Sequence, residues 1–121
     1  MEKQIKSDLK KQFQILNLKN CKNLYVTSNL RQFSKVRIRK NKKLEVILSA
    51  LIKTMGKNFT IFTPAASLNL CNTNQVFDPI KTPSHKMGPL SEYIRLKKSV
   101  RSIHPFWSIA GIGKNSKLLK N

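Results

Sequence analysis

The chain has 121 residues, and its 24 lysines and arginines face only 5 aspartates and glutamates, for a formal net charge of +19. A chain this short holds one domain with a modest core. Its 40% hydrophobic content is too high for a disordered chain, and no apolar run approaches the ~20 residues of a membrane span.

The opening MEKQIKSDLKKQ carries charge without an apolar segment, so no secretory signal is expected. Ser7 and Asp8 are candidate caps for a short helix with Leu9, Phe13 and Leu16 on one face. Leu24 to Thr27 is β-prone and reads as a first strand. Residues 28–41 are polar and basic, hence loop-like. From Lys42 to Met55, Leu44, Ile47, Leu48, Leu51, Ile52 and Met55 recur at helical spacing, and Gly56 stands ready as the stop. Phe59 to Thr63 reads as a second, largely buried strand halted by Pro64. Residues 65–87 form a long irregular stretch, the kind of loop that is usually functional. Leu90 to Leu96 predicts one or two helical turns, with Glu92 and Arg95 at i, i+3. Val100 to Ile103 is extended, Trp107 to Ile112 is a strand with small residues at Ala110 and Gly111, and Lys114 to Leu119 begins a last helix. This order reads as α/β. The expected architecture is a single three-layer-type α/β domain, incomplete, with a sheet of few strands flanked by helices and a long central loop.

The charge calls for an anionic partner. Its densest stretch is Lys35 to Lys43, six cations in nine residues. Yet the chain has 19 lysines to 5 arginines and 11 asparagines, which reads as compositional taste, since specific phosphate and base readers favour arginine. No helix-turn-helix, zinc-finger spacing or RNA-binding aromatic pattern is present, so nucleic acid is not the expected partner. Cys21 and Cys71 read as free thiols of a reducing cytoplasm.

Few residues are equipped for chemistry. No carboxylate pair has hydrolase spacing, the glycines form neither a dinucleotide nor a phosphate loop, the serines lack a nucleophile elbow, and no metal site is expected. Asp78, before Pro79, reads as an Asx-turn residue. His85 is expected to face solvent. His104 stands before Pro105, which bars it from helical geometry and puts it at a strand end or turn. A lone His-Pro is more often structural, but histidine there is also placed to act as a general base.

Three segments of the second half, FDPIKTPS (Phe77–Ser84), MGPLSEYIR (Met87–Arg95) and VRSIHPFWSIAGIG (Val100–Gly113), together resemble the aminoglycoside 3-N-acetyltransferase family of antibiotic-resistance enzymes. In the first half, Leu24 to Ser34 and Leu48 to Pro64 are similar to two further family segments, so the resemblance spans about residues 5 to 119. It implies transfer of an acetyl group from acetyl-CoA, as co-substrate, to an amine of an aminoglycoside or other amino sugar. It makes His104 the catalytic base that takes the amine's proton. It assigns Thr27, Ser28, Asn29, Leu30 and Ser102 to acetyl-CoA, and Ser84 and Glu92 to the substrate pocket.

The chain departs from the family pattern at Thr27, where the family has histidine, at Asn29, where it has serine, and at Ser34, where it has glycine. The family's chains are also much longer, and their remaining part completes the sheet, forms much of the acceptor pocket and contributes an acidic partner to catalysis. Residues 1–121 therefore correspond to an N-terminal half, a fragment whose missing part a second chain could supply. A polycationic acceptor would be repelled by +19, so a less cationic amino sugar is expected. Two other readings compete: a catalytically inactive fragment, and a basic nucleic-acid-binding protein.

Overall fold

The structure, a computed structural model, describes residues 2–120. It divides into two compact units, Met1–Lys22 with Leu30–Phe59, and Asn23–Asn29 with Thr60–Asn121.

The first unit is helical. Helix α1 spans Glu2–Ile15, so Ser7 and Asp8 lie inside it rather than at its cap, and Asp8 accepts from Gln4 Nε2 at 2.9 Å. Its half-buried apolar residues are Ile5, Leu9 and Phe13, four apart, while Leu16 falls beyond the helix and is exposed. Helix α2 spans Lys40–Met55 and buries Leu44, Val46, Ile47, Leu48, Ala50, Leu51 and Met55. It packs against α1 and against the 3-10 turn Leu18–Asn20. Gly56 ends it, donating to Ile52 O at 2.9 Å, as its position after the last apolar residue predicts. The basic stretch divides. Lys42 bridges Glu2 at 3.6 Å and Glu45 at 3.3 Å, Lys43 donates to Phe33 O at 2.7 Å, and Lys35, Arg37, Arg39 and Lys40 are exposed.

The second unit holds a four-stranded mixed sheet, so the chain is α/β. Its strands are β1 Asn23–Tyr25, β2 Thr60–Pro64, β3 Val100–Arg101 and β4 Ile109–Gly113, in the order β1-β2-β4-β3. β1 runs parallel to β2, which a helical crossover permits, and β4 runs antiparallel to both its neighbours. Helix α3, Pro89–Leu96, packs on β2 and β4 and buries Leu90 and Ile94 completely or nearly so. Their spacing of four puts both on one face. The expected C-terminal helix is instead a 3-10 turn, Ser116–Lys120, with Ser116 Oγ donating to Gly113 O at 2.8 Å.

β4 begins two residues later than Trp107, where the apolar pattern starts. The cause is Ser102: its N–H pairs with Ile109 O at 2.9 Å, but its own hydroxyl takes the Ile109 N–H at 2.9 Å. A side-chain acceptor thus replaces the backbone rung and ends the ladder. Inside β4, Gly111 faces Phe62. A Cβ there would lie 2.7 Å from Phe62 Cδ1 and 3.1 Å from Leu119 Cδ1. Gly111→Ala should therefore lower stability by about 1–3 kcal/mol in urea unfolding, and Phe62→Leu should recover part of that loss.

Candidate active site

Of the residues picked out by sequence, Leu30 belongs to the first unit, Glu92 lies on α3 and the others sit on loops of the second unit, where hydrogen bonds hold His104, Ser102 and Ser84. His104 lies in the 102–108 connection between β3 and β4 and is exposed. Its Nδ1 accepts from two backbone N–H groups, Phe106 at 3.3 Å and Trp107 at 3.2 Å. Two donors on Nδ1 mean that the neutral imidazole carries its proton on Nε2. The ring meets Phe106 edge-on at 6.0 Å. Trp107 beside it is 80% exposed, as is Ile103 at 75%.

Behind this exposed loop stands Arg101, only 7% exposed. Its guanidinium donates to Ser108 Oγ at 3.0 Å, Ala65 O at 2.5 Å, Ser67 Oγ at 2.9 Å and Thr82 O. It also lies 4.7 Å from the centre of the Phe77 ring. Burial, and then the charge of Arg95, push its pKa down, yet an arginine stays protonated under any working condition. This one side chain ties three loops together: the end of β2, the 77–84 segment and the histidine loop. Ser67 N–H to Pro105 O at 2.8 Å and Ser67 Oγ to Pro83 O at 2.7 Å complete the lacing. Ser108 Oγ donates onward to Ser102 O at 3.2 Å.

Ser84 and Glu92 meet directly. Glu92 Oε2 accepts from Ser84 N at 3.1 Å and from Ser84 Oγ, and its other oxygen pairs with Arg95 Nε. Arg95 Nη1 donates to Ile80 O at 3.3 Å. The i, i+3 pair expected on α3 is thus present, but Arg95 is buried and the pair anchors the 77–84 loop. Asp78 does form an Asx turn, its Oδ1 accepting from Ile80 N at 2.8 Å and Lys81 N at 3.1 Å. These two donors hold its pKa below the usual aspartate value, Ile80 contributing most. A depressed folded pKa stabilises the turn above the unfolded value, about 4, and that contribution fades as pH falls through the lower folded value. The Ile80 and Lys81 amide shifts should therefore titrate together on acidification, and Asp78→Asn should abolish that titration.

After β1, Val26 N donates to Phe62 O at 2.8 Å and extends the pairing by one bond. Thr27 and Asn29 are then exposed and Ser28 half-buried. Leu30, half-buried, leads into the 3-10 turn Arg31–Lys35 of the first unit. Gly88, at φ 96, precedes α3, and a Cβ there would sit 3.4 Å from Ser28 O. The first turn of α3 thus lies against the loop after β1. Thr63 secures this approach: its hydroxyl donates to Val26 O at 3.1 Å and lies 2.6 Å from Ser91 Oγ. Since Thr63 spends its single proton on Val26, Ser91 is the donor to Thr63. Both residues are fully or almost fully buried.

The structure therefore forms two clusters, His104 with Ser102 on one loop and Ser84 with Glu92 at α3, laced together through Arg101 and Ser67. The hydrogen bonds of His104 and Ser102 stay within residues 102–109, so neither is joined directly to Thr27 or Ser28. Sequence reasoning missed Arg101, Ser67 and the Thr63–Ser91 pair. Arg101 was legible only as one residue of the segment Val100–Gly113 that carries the family resemblance, with no role of its own.

Comparison with known proteins gives these loops their context. The aminoglycoside 3-N-acetyltransferase family model matches residues 25–121, and the chain belongs to that family. Among solved structures, it is similar to sisomicin-bound AAC-VIa, with 21% identity, a TM-score of 0.76 and coverage of 93% of this chain and 47% of that one. It is similar to the YokD protein from Bacillus subtilis, with 21% identity and a TM-score of 0.77, over 93% of this chain and 52% of that one. It is also similar to AAC-IIIb in a binary complex with CoASH, with 21% identity and a TM-score of 0.72, over 93% and 47%. The chain thus spans about half the length of these relatives. No curated protein sequence matches it. Among the described residues, no helix is long and apolar enough to cross a membrane.

Proposed function

We propose that this chain is the N-terminal half of an aminoglycoside 3-N-acetyltransferase-like domain. The complete domain would move an acetyl group from acetyl-CoA to an amine of an amino sugar. What carries this reading is the exposed His104 ring on a loop that buried Arg101 holds from behind, in a chain whose family match covers residues 25–121.

Acetyl-CoA would supply a thioester carbonyl, to which the amine nitrogen bonds as the carbon–sulfur bond breaks and the thiolate departs. The chain's own residues then have three tasks. Thr27, Ser28 and Asn29, beside the first turn of α3, offer hydroxyl, amide and backbone groups to the pantetheine and diphosphate, the chemistry that helix starts and loop N–H groups provide for anions. The Ser84–Glu92 pair borders the amino-sugar side. His104 takes the proton that the amine releases. For that last task the ring must offer a free Nε2 lone pair, so its proton must move to Nδ1 and donate to an acceptor. Here Nδ1 is instead an acceptor itself. The base form thus needs an acceptor from beyond the 102–108 loop, which the resemblance places in the family's remaining part. A second polypeptide carrying that part is the corresponding partner.

The test is release of CoA thiol from acetyl-CoA, followed with a thiol reagent, in the presence of glucosamine or sisomicin. The reading predicts release once the chain is joined to the C-terminal part of a family member. Absence of release from the joined protein with both amines would overturn it. The high positive charge predicts the larger kcat/KM for the mono-amine.

A further inference from the structure

The parallel pairing of β1 with β2 leaves one carbonyl that the backbone cannot satisfy. Asn23, Leu24 and Tyr25 stand opposite Thr60, Ile61 and Phe62, so the next residue, Val26, falls opposite Thr63. In a parallel ladder such a residue donates to the carbonyl one place before its opposite and accepts from the N–H one place after it. Val26 makes the first of these bonds, to Phe62 O at 2.8 Å. The second would need the N–H of residue 64, which is a proline and has none.

Thr63 provides the missing donor from its side chain. Its Oγ1 donates to Val26 O at 3.1 Å, and its remaining capacity as an acceptor is taken by Ser91 Oγ of α3 at 2.6 Å. Thr63 is fully buried and Ser91 almost so, so water is a poor substitute for either bond. The chain therefore leaves the sheet at Val26 with its last paired carbonyl tied, through Thr63, to the first turn of α3. Gly88 completes the approach, because a Cβ there would stand 3.4 Å from Ser28 O. Both ties flank residues 27–29, one through the carbonyl just before them and one at the carbonyl of Ser28. A segment fixed in its binding shape loses less freedom when a ligand arrives, and so binds it more tightly.

We propose that Thr63 is a positioning residue for the coenzyme, an assignment that rests on the reading of residues 27–29 as the segment that receives its diphosphate. The Thr63 hydroxyl, itself held by Ser91, replaces the N–H that Pro64 lacks and thereby sets the course of Thr27, Ser28 and Asn29. Being fully buried, Thr63 acts only through the backbone it holds.

Titration of the full chain with CoA, followed through the amide shifts of residues 27–29, tests this. CoA binding calls on neither acetyl transfer nor His104. The unaltered chain should give saturable shifts at these amides. Thr63→Val keeps the branched shape without the hydroxyl. It should weaken CoA about tenfold, which is about 1.4 kcal/mol, and move the carbonyl carbon shift of Val26. Thr63→Ser keeps the donor and should bind CoA within about twofold of the unaltered chain. Ser91→Ala leaves the bond from Thr63 to Val26 in place and should fall between the two. Ser116→Ala controls for the loss of a buried hydroxyl as such. Ser116 donates to Gly113 O at 2.8 Å, and Gly113 pairs with Thr60, at the opposite end of β2 from Pro64. That variant should leave CoA affinity within about twofold. The proposal is overturned if CoA moves none of the 27–29 amides, if Thr63→Val binds CoA as tightly as the unaltered chain, if Thr63→Ser fails to restore binding, or if Ser116→Ala weakens it equally. The expected binding pattern without thiol release from the joined protein would count against acetyl transfer and leave the role of Thr63 standing.

Discussion

Arg101→Ala will lower the stability of the second unit by about 2–5 kcal/mol in urea unfolding, because it strips one shared donor from several buried acceptors. Truncation leaves Ala65 O, Thr82 O and the Ser67 and Ser108 hydroxyls without the donor that satisfies them. Each buried group so orphaned costs about 1–3 kcal/mol, reduced where water or a neighbour steps in. Ser67 and Ser108 have other bonds to fall back on, which keeps the total below the plain sum. Against the ~5–15 kcal/mol of a whole domain, the loss is severe. Arg101→Lys should lose most of it as well. A lysine restores the charge but not the planar fork that reaches four groups on three loops. The histidine loop should report the same break: proteolysis within 102–108 should quicken in both variants. A stability change under 1 kcal/mol in Arg101→Ala would show that the three loops are held by something other than this side chain.

The elements were legible where one physical rule acted alone. Helix α2 and its glycine stop followed from apolar spacing, because burial on one face decides them, and β2 from a short β-rich run buried on both faces, although Pro64, read as its halt, is its last residue. α1 was misjudged at its start because Ser7 and Asp8 carry the chemistry of caps, yet Asp8 is used within the helix by Gln4. The start of β4 was misjudged because apolar periodicity has no way to register a hydroxyl taking over a backbone rung, as Ser102 does for Ile109.

The site was legible in parts. The Asx turn at Asp78 and the Glu92–Arg95 pair are local, spanning two or three residues, so spacing reveals them. The Arg101 clamp joins positions 36, 34 and 19 residues away. No local pattern encodes contacts of that range, and an arginine's default reading is surface. The tautomer of His104 was equally hidden, since it depends on where two backbone N–H groups of a seven-residue loop point.

That tautomer makes a sharp expectation for His104 itself. His104→Ala removes both the acceptor that orders the loop and the proton carrier, so a loss of transfer would not tell the two roles apart. His104→Asn separates them. Its Oδ1 can occupy the place of Nδ1 and keep accepting from Phe106 and Trp107, while an amide cannot take up the amine's proton. In the joined, transfer-competent protein, His104→Asn should retain the protection of those two amides and the KM for acetyl-CoA, and lose about 10²–10⁴-fold in kcat, the usual worth of a general base. His104→Ala should lose kcat similarly and the amide protection too. In the chain alone, nitrogen shifts of the unaltered ring should show Nε2 protonated and Nδ1 bare. In the joined protein the proton should be found on Nδ1, because only an acceptor there can turn the lone pair of Nε2 toward an amine. Near-normal kcat in His104→Asn would remove His104 from proton transfer and leave it as a loop-ordering residue.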